Sequence, residues 1–253
     1  MVYSNRELRD AIMKREVICY PLIEENIKGS SIDVRLGKHF YRTDRLDRPG
    51  IFSHRDPDDV ERYFKADVAR PVEEVCSELG LPVPKGFLPG QLVIALAPHE
   101  RILAHTLEFV GIQPPGTTEM RARSSTGRIG IAVCKCAGWG DPGYINRWTM
   151  EIQNDNDEWV LLIYGERIAQ IIFHQTGPVD GHYGQGGKYQ DGITLGDTVR
   201  NWRPAQMLPK SWKDVIDVPV EPTAADAEIF IIELANGKTT LLKPPVPLAL
   251  TEK

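Results

Sequence analysis

RARSSTGRIGIAVCKCAGWGDPGYINRWTMEIQN, residues 121–154, decides how the rest of the chain is read. It opens on a basic, hydroxyl-rich turn, Arg123-Ser124-Ser125-Thr126-Gly127-Arg128. A β-branched run from Ile129 to Val133 follows, then a tight glycine–proline turn, Gly138-Trp139-Gly140-Asp141-Pro142-Gly143. The stretch closes on a second strand-like run, Trp148 to Ile152, whose one acid is Glu151. Guanidinium forks, hydroxyls and the backbone N–H groups of a glycine-containing turn all donate to phosphate oxygens. A carboxylate in an otherwise apolar strand is costly unless it is paired or used. The two together predict an anion-binding loop beside a buried acid.

Upstream, Ser4 and Glu7 have capping-box spacing, and Leu8, Ala11 and Ile12 give a helical face, so a short helix is predicted over about 4–14. In Gly29-Ser30-Ser31-Ile32-Asp33-Val34-Arg35-Leu36-Gly37 the apolar residues alternate as in a half-buried strand, with Asp33 and Arg35 read as a surface pair. Residues 43–85 are charged and turn-rich, and Asp58 through Leu79 reads as one or two helices interrupted at Pro71. This segment is expected to be an insertion between two barrel strands. A surface elaboration without chemistry is favoured over a lid or an oligomer contact.

The strand pattern resumes at Phe87–Ala95 after a Pro-Gly turn, and continues through Leu107–Ile112, Trp159–Ile163 and Ile168–Phe173. Regular short strands with few helices predict a mostly all-β domain, a distorted barrel or jelly roll with a short N-terminal helix and a helical insertion. Tyr183-Gly184-Gln185-Gly186-Gly187-Lys188-Tyr189-Gln190 lacks apolar periodicity and reads as a mobile loop. Beyond it, an extension over 197–253 contains a hairpin pattern from Ile229 to Leu242 around Asn236-Gly237. One domain, 1–253, is the expected organisation.

A net charge of −5 argues against a general nucleic-acid binder but leaves room for a local basic pocket. No apolar run reaches the length of a membrane span, and MVYSNRELRD is too polar for a secretory signal. Cys19, Cys76, Cys134 and Cys136 show no paired framework, so a reduced, cytoplasmic protein is expected.

The central stretch resembles the dCTP deaminase branch of the trimeric dUTPase-like family. That family's signatures, RSS-x-x-R, A-G-x-x-D-P-G and a strand ending L-E-L-S-N, correspond here to Arg123–Arg128, Ala137–Gly143 and Met150-Glu151-Ile152-Gln153-Asn154. Ser30-Ser31-Ile32-Asp33-Val34-Arg35-Leu36-Gly37 matches a further family phrase, and Gly165–Phe173 looks like its last core strand. The resemblance implies a dUTPase-like barrel, a homotrimer with interfacial active sites, and a pyrimidine deoxynucleoside triphosphate as substrate. Neither nucleic acid nor membrane is implied as a partner.

Zinc deaminases use H-x-E and P-C-x-x-C motifs, and neither is present. Cys134-Lys135-Cys136 would point both thiols to one face of a strand and lacks a second ligand pair at zinc spacing. Without zinc, a carboxylate must activate the water and relay its proton to the ring nitrogen and the leaving amine. The resemblance assigns this to Glu151, with Ser124 holding the water or the carboxylate and Arg128 orienting Glu151 and offsetting negative charge. It assigns Arg123, Ser125, Tyr183, Lys188 and Gln190 to the phosphates, Asp141 to the deoxyribose 3′-hydroxyl and Trp139 to the sugar or base. In the family motif K-Y-x-x-Q the glutamine stands later, whereas Gln190 directly follows Tyr189 and Gly192 fills the later place. Ala137-Gly138-Trp139 resembles bifunctional members, which also hydrolyse dUTP to dUMP and pyrophosphate. No protein metal site is expected; Mg²⁺ would ride on the substrate phosphates. The alternatives are a dUTPase or related nucleoside-triphosphate pyrophosphatase, and a nucleotide-sensing protein without turnover.

Overall fold

Ser4 caps the first helix, α1 (Asn5–Met13), as its spacing predicts: its hydroxyl accepts from the Glu7 N–H, and Glu7 Oε2 accepts from the Ser4 N–H at 2.7 Å. Leu8 and Ala11 are buried, with Ile12 packed beside them. The computed structural model describes residues 1–43 and 50–214. By compactness the chain divides into Met1–Pro209 and Lys210–Lys253, the latter holding a short 3₁₀ turn, Ser211–Lys213, among its described residues. The expected extension over 197–253 is therefore split between the two units, and the hairpin at 229–242 lies outside the described residues. No described helix is long and apolar enough to cross a membrane.

The first unit continues through β1 (Val17–Tyr20), β2 (Ser31–Thr43), α2 (Pro57–Tyr63), β3 (Phe64–Val68), β4 (Arg70–Pro71) and α3 (Val72–Leu79). Next come β5 (Leu92–Leu96), β6 (Arg101–Ile112), β7 (Gly116–Ala122), α4 (Ser124–Arg128), β8 (Ile131–Ala132) and β9 (Trp139–Gly140). It ends with β10 (Ile145–Asn154), β11 (Val160–Ile163), β12 (Arg167–Gln175) and α5 (Leu195–Asn201). The protein is mostly β. A nine-stranded sheet runs β8-β10-β6-β2-β12-β7-β9, with β1 also on β6 and β3 also on β2.

The curl of this sheet comes from β2. Its first half pairs antiparallel with β12 (Val34↔Ala169), while its second half lies between β6 (Tyr41↔Leu103) and β3 (Tyr41↔Ala66). The register with β6 shifts between Leu36 and Phe40, where the strand passes from one set of partners to the other. Ile32, Val34 and Leu36 turn inward and meet Met120, Met150, Ile152, Ile171 and Phe173 in the main core. Each such buried side chain stabilises the fold by roughly 1.5–3 kcal/mol relative to exposure.

Several expectations are corrected. Asp33 and Arg35 are not a surface pair: Asp33 is buried and faces Arg123 and Arg167, and Arg35 binds buried Glu108 at 2.5 Å. A strand at the junction of two sheet halves has both faces covered, so its alternating acid and base must find partners on other strands. The segment around Pro71 is not purely helical, because β3 and β4 separate α2 from α3, and β3 extends the main sheet. β5 and β11 do not join the barrel; they pair with each other, and with β4 form a three-stranded sheet over a small core of Val72, Val75, Cys76, Val93 and Ala95. The run Ile129–Val133 yields strand only at Ile131–Ala132, since Ile129 caps α4 and Gly130 takes φ +72°. Cys134 and Cys136 sit in a turn rather than a strand: Cys134 is buried and donates to the Met120 carbonyl at 3.3 Å, while Cys136 is exposed.

Candidate active site

β10 carries the acid. Its core face buries Trp148, Met150 and Ile152, leaving Arg147, Thr149, Glu151 and Gln153 partly buried on the alternate face. Glu151 pairs across to Leu103 of β6, and both line a cavity of about 630 Å³. Burial pushes the Glu151 carboxyl above its ordinary range, opposed by its own backbone N–H and by the charge of Arg101. Its Oε2 is buried and has no hydrogen-bond partner among the described residues. A desolvated carboxylate with a vacant acceptor position costs free energy unless a ligand completes it.

The far bank of the cavity is the glycine–proline turn. Trp139, Gly140 and Asp141 line it, and β9 is held against β7 through Thr118↔Gly140. Gly140 leaves room for Trp148, whose ring a Cβ there would strike. Gly143 has φ +86°, and a Cβ there would stand 2.8 Å from the His182 ring. The turn thus needs glycine both for its left-handed conformation and for the close approach of the segment above it.

That segment is the predicted loop, and it folds over the cavity. A 3₁₀ turn spans Tyr183–Gln185; the Tyr183 N–H donates to the Pro142 carbonyl at 3.0 Å and its ring meets Tyr144 edge-on at 5.1 Å. Tyr183, Lys188 and Tyr189 all line the cavity, with the Lys188 ammonium 5.7 Å from the centroid of the Tyr189 ring. Gln190 does not line it. Its Oε1 accepts from the Ile145 N–H at 2.7 Å and its Nε2 donates to the Gly192 carbonyl at 2.9 Å, so it pins the loop to the start of β10. Its sequence position one residue after Tyr189 turns its amide toward the strand.

The Arg-Ser-Ser turn is placed elsewhere. Ser124–Arg128 is the one-turn helix α4, with Ser124, Ser125 and Arg128 exposed, and none of them lines the Glu151 cavity. Arg123 lies 3.3 Å from Asp33 and donates to the Arg167 carbonyl at 3.1 Å, so within its own chain it is engaged in an ion pair. With Ser125 it borders a separate hollow of about 200 Å³. Within one chain, Glu151, Asp141, Trp139, Tyr183 and Lys188 are brought together, while Ser124, Arg128, Arg123 and Ser125 are not.

Residues that sequence reasoning missed also reach the cavity. Phe52, His54 and Phe64 come from the insertion, and Met207 and Pro209 from the segment after α5. The segment after α5 is anchored by Trp202, buried beside His105 (centroids 4.7 Å apart) and under the Arg147 guanidinium at 4.5 Å. The aromatic residues in an otherwise charged stretch were the one available signal for Phe52; Met207 had none. Among the described residues no group of three His, Cys, Asp or Glu stands close enough to hold a metal ion.

The curled antiparallel sheet thus carries a desolvated carboxyl on β10 into a cavity covered by a tyrosine- and lysine-bearing loop, with Asp141, Tyr183 and Lys188 away from Glu151. The chain belongs to the dCTP deaminase-like family, whose model matches residues 2–176. A "dCTP deaminase, dUMP-forming" of Nanoarchaeum equitans is 30% identical over 190 residues, covering 75% of this chain and 92% of the relative. A protein of the same name from Corynebacterium jeikeium is 31% identical over 194 residues, again covering 75% and 92%. Among solved structures, the 2′-deoxycytidine 5′-triphosphate deaminase from Agrobacterium tumefaciens matches with a TM-score of 0.49 and 17% identity, over 69% of this chain and 48% of that one.

Proposed function

We propose that the protein deaminates dCTP and then hydrolyses the dUTP formed to dUMP and pyrophosphate. The observation that carries this is the buried, unpartnered Oε2 of Glu151 at one end of a cavity whose other end holds Asp141, Tyr183 and Lys188. In the first step water adds at C4 of the cytosine, Glu151 takes its proton, and the proton passes through the ring nitrogen to the amine that leaves as ammonia. A carboxyl whose affinity for protons is raised by desolvation serves both directions of that relay better than an ordinary surface acid. Asp141 accepts from the sugar hydroxyl, Trp139 walls the sugar or base, and Lys188 and Tyr183 hold phosphate. The relatives are named dUMP-forming, which supports the second step.

Ser124, Arg128, Arg123 and Ser125 enter as residues of a neighbouring copy in a homotrimer, α4 of one subunit closing the cavity of the next. Their exposure, apart from Arg123, and their absence from the cavity of their own chain support this. Mg²⁺ belongs to the substrate, held by phosphate oxygens and water, a mode this ion favours. No zinc is required by the relay through Glu151.

The test is to incubate purified protein with dCTP, dUTP and their mono- and diphosphates, then to separate products and measure ammonia. Wild type should release ammonia from dCTP and accumulate dUMP, and Glu151→Gln should abolish ammonia release while still binding dCTP. Continued deamination by the Gln variant would remove Glu151 from its role; hydrolysis of dUTP with no attack on dCTP would make the protein a pyrophosphatase.

A further inference from the structure

The cavity extends past Glu151. Tyr144 just precedes β10 and Glu151 is the seventh residue of that strand, so the two mark different ends of the cavity. Asp141, Tyr183 and Lys188 gather at the Tyr144 end. Sheet register sets what lies at the other. Arg101 pairs with Gln153, two residues beyond Glu151; Ile102 pairs with Arg42, which puts Thr43 beside Arg101; and Thr43 pairs with Phe64. Phe64 therefore lies in the row of Gln153 and Arg101, two residues on from that of Glu151, on the far side of β2. Phe52 meets it edge-on at 6.2 Å and stacks on Tyr63 at 4.2 Å, so the aromatic group is braced from within the insertion.

We propose that Phe52 and Phe64, with Leu103, form a base-edge wall that selects a cytosine deoxynucleotide carrying an apolar substituent at C5. This rests on the deaminase reading of Glu151. In a cytosine ring the sugar-bearing N1 lies opposite C4. With C4 at Glu151 and the sugar toward Asp141, the edge facing the insertion is C4 with its neighbours N3 and C5. Phe52, Phe64 and Leu103 offer a C5 methyl an apolar contact, and Arg101 and His54 of the same lining are the polar groups available to N3. The insertion thus belongs to the site rather than decorating the barrel. The reaction is unchanged: 5-methyl-dCTP and water give thymidine triphosphate and ammonia, with the methyl group untouched.

A methyl group seated in an apolar pocket changes kcat/KM by about tenfold or more. Wild-type protein assayed with dCTP and 5-methyl-dCTP in competition should prefer the methylated substrate by at least about tenfold. Phe52→Ala should bring that ratio toward one, and Phe52→Leu should restore most of it, which separates loss of the wall from loss of the fold. Turnover of dCTP with equal or poorer use of 5-methyl-dCTP would overturn the wall while leaving the deaminase reading standing. Release of ammonia from neither substrate would overturn both.

Discussion

Replacing Trp202 by alanine tests whether the segment after the loop is a working part of the site. Trp202 is 8% exposed, its ring centroid 4.7 Å from His105 and 6.2 Å from His39, with the Arg147 guanidinium 4.5 Å above it. Arg147 has no carboxylate partner among the described residues; its Nε donates to the Leu107 carbonyl at 3.2 Å and its charge also rests 4.8 Å from the Phe109 ring. Emptying a buried tryptophan site costs about 3–5 kcal/mol, of which the cation–π share is ~0.5–2 kcal/mol. The residues at stake, 194–209, can detach without the barrel melting, because local opening requires less free energy than global unfolding. At about 1.4 kcal/mol per factor of ten, the ratio of docked to undocked segment should fall by roughly a hundred- to several-thousand-fold. Met207 would leave the cavity wall with it. Hydrogen exchange followed by peptide mapping should show residues 183–209 exchanging far faster in Trp202→Ala while β2 and β6 stay protected. Trp202→Phe should recover most of the protection. A double-mutant cycle with Arg147→Met should return a coupling of about 0.5–2 kcal/mol. Unchanged protection of 183–209 in the alanine variant would show that the segment is held by something other than Trp202.

Three further outcomes follow from individual groups. His105 is buried and held neutral, its Nδ1 2.7 Å from the Thr106 carbonyl and its Nε2 accepting from the His39 N–H, and burial takes its pKa down to about 3. Because the unfolded chain binds this proton from about pH 6.5 downward, the stability it contributes is present above that and lost as pH falls toward 3, a span worth ~5 kcal/mol at ~1.4 per unit. Denaturant midpoints measured from pH 7 to 4 should fall less steeply in His105→Gln, and parallel slopes would contradict this. For Glu151 the sign is opposite: its folded pKa lies above the unfolded value of 4.5, so ionisation destabilises the fold as pH rises through the folded pKa. Glu151→Gln should therefore raise Tm more at pH 8 than at pH 4, and in the wild type the acid limb of kcat/KM should lie above the usual carboxylate range. Gly143→Ala forces a side chain into φ +86° and against His182, and should cost about 1–3 kcal/mol with a rise in KM for triphosphate; an unaltered melt would show that the turn relaxes.

What could be read before folding was local. The capping pair Ser4 and Glu7, the strand through Ile32, Val34 and Leu36, and the Asp141-Pro142-Gly143 turn each encode their backbone conformation in neighbouring residues, and the structure has those conformations, although the strand is covered on both faces rather than one. The Ile129–Val133 run shows the limit of such reading, since Ile129 and a left-handed Gly130 close α4 and leave only Ile131–Ala132 as strand.

Partners across the sheet were another matter. Asp33 meets Arg123 and Arg167, Arg35 meets Glu108, and Gln190 meets the backbone of Ile145, each a contact between residues far apart in the chain. Nothing in a strand's own period names the strand it will lie beside; register is settled when whole faces bury together. For the same reason the insertion reads as surface in one dimension and as cavity wall in three: Phe64 is carried to the cavity only because β3 closes on β2 and β2 on β6. The residues' chemistry was legible from their order, but their company was set by long-range pairing.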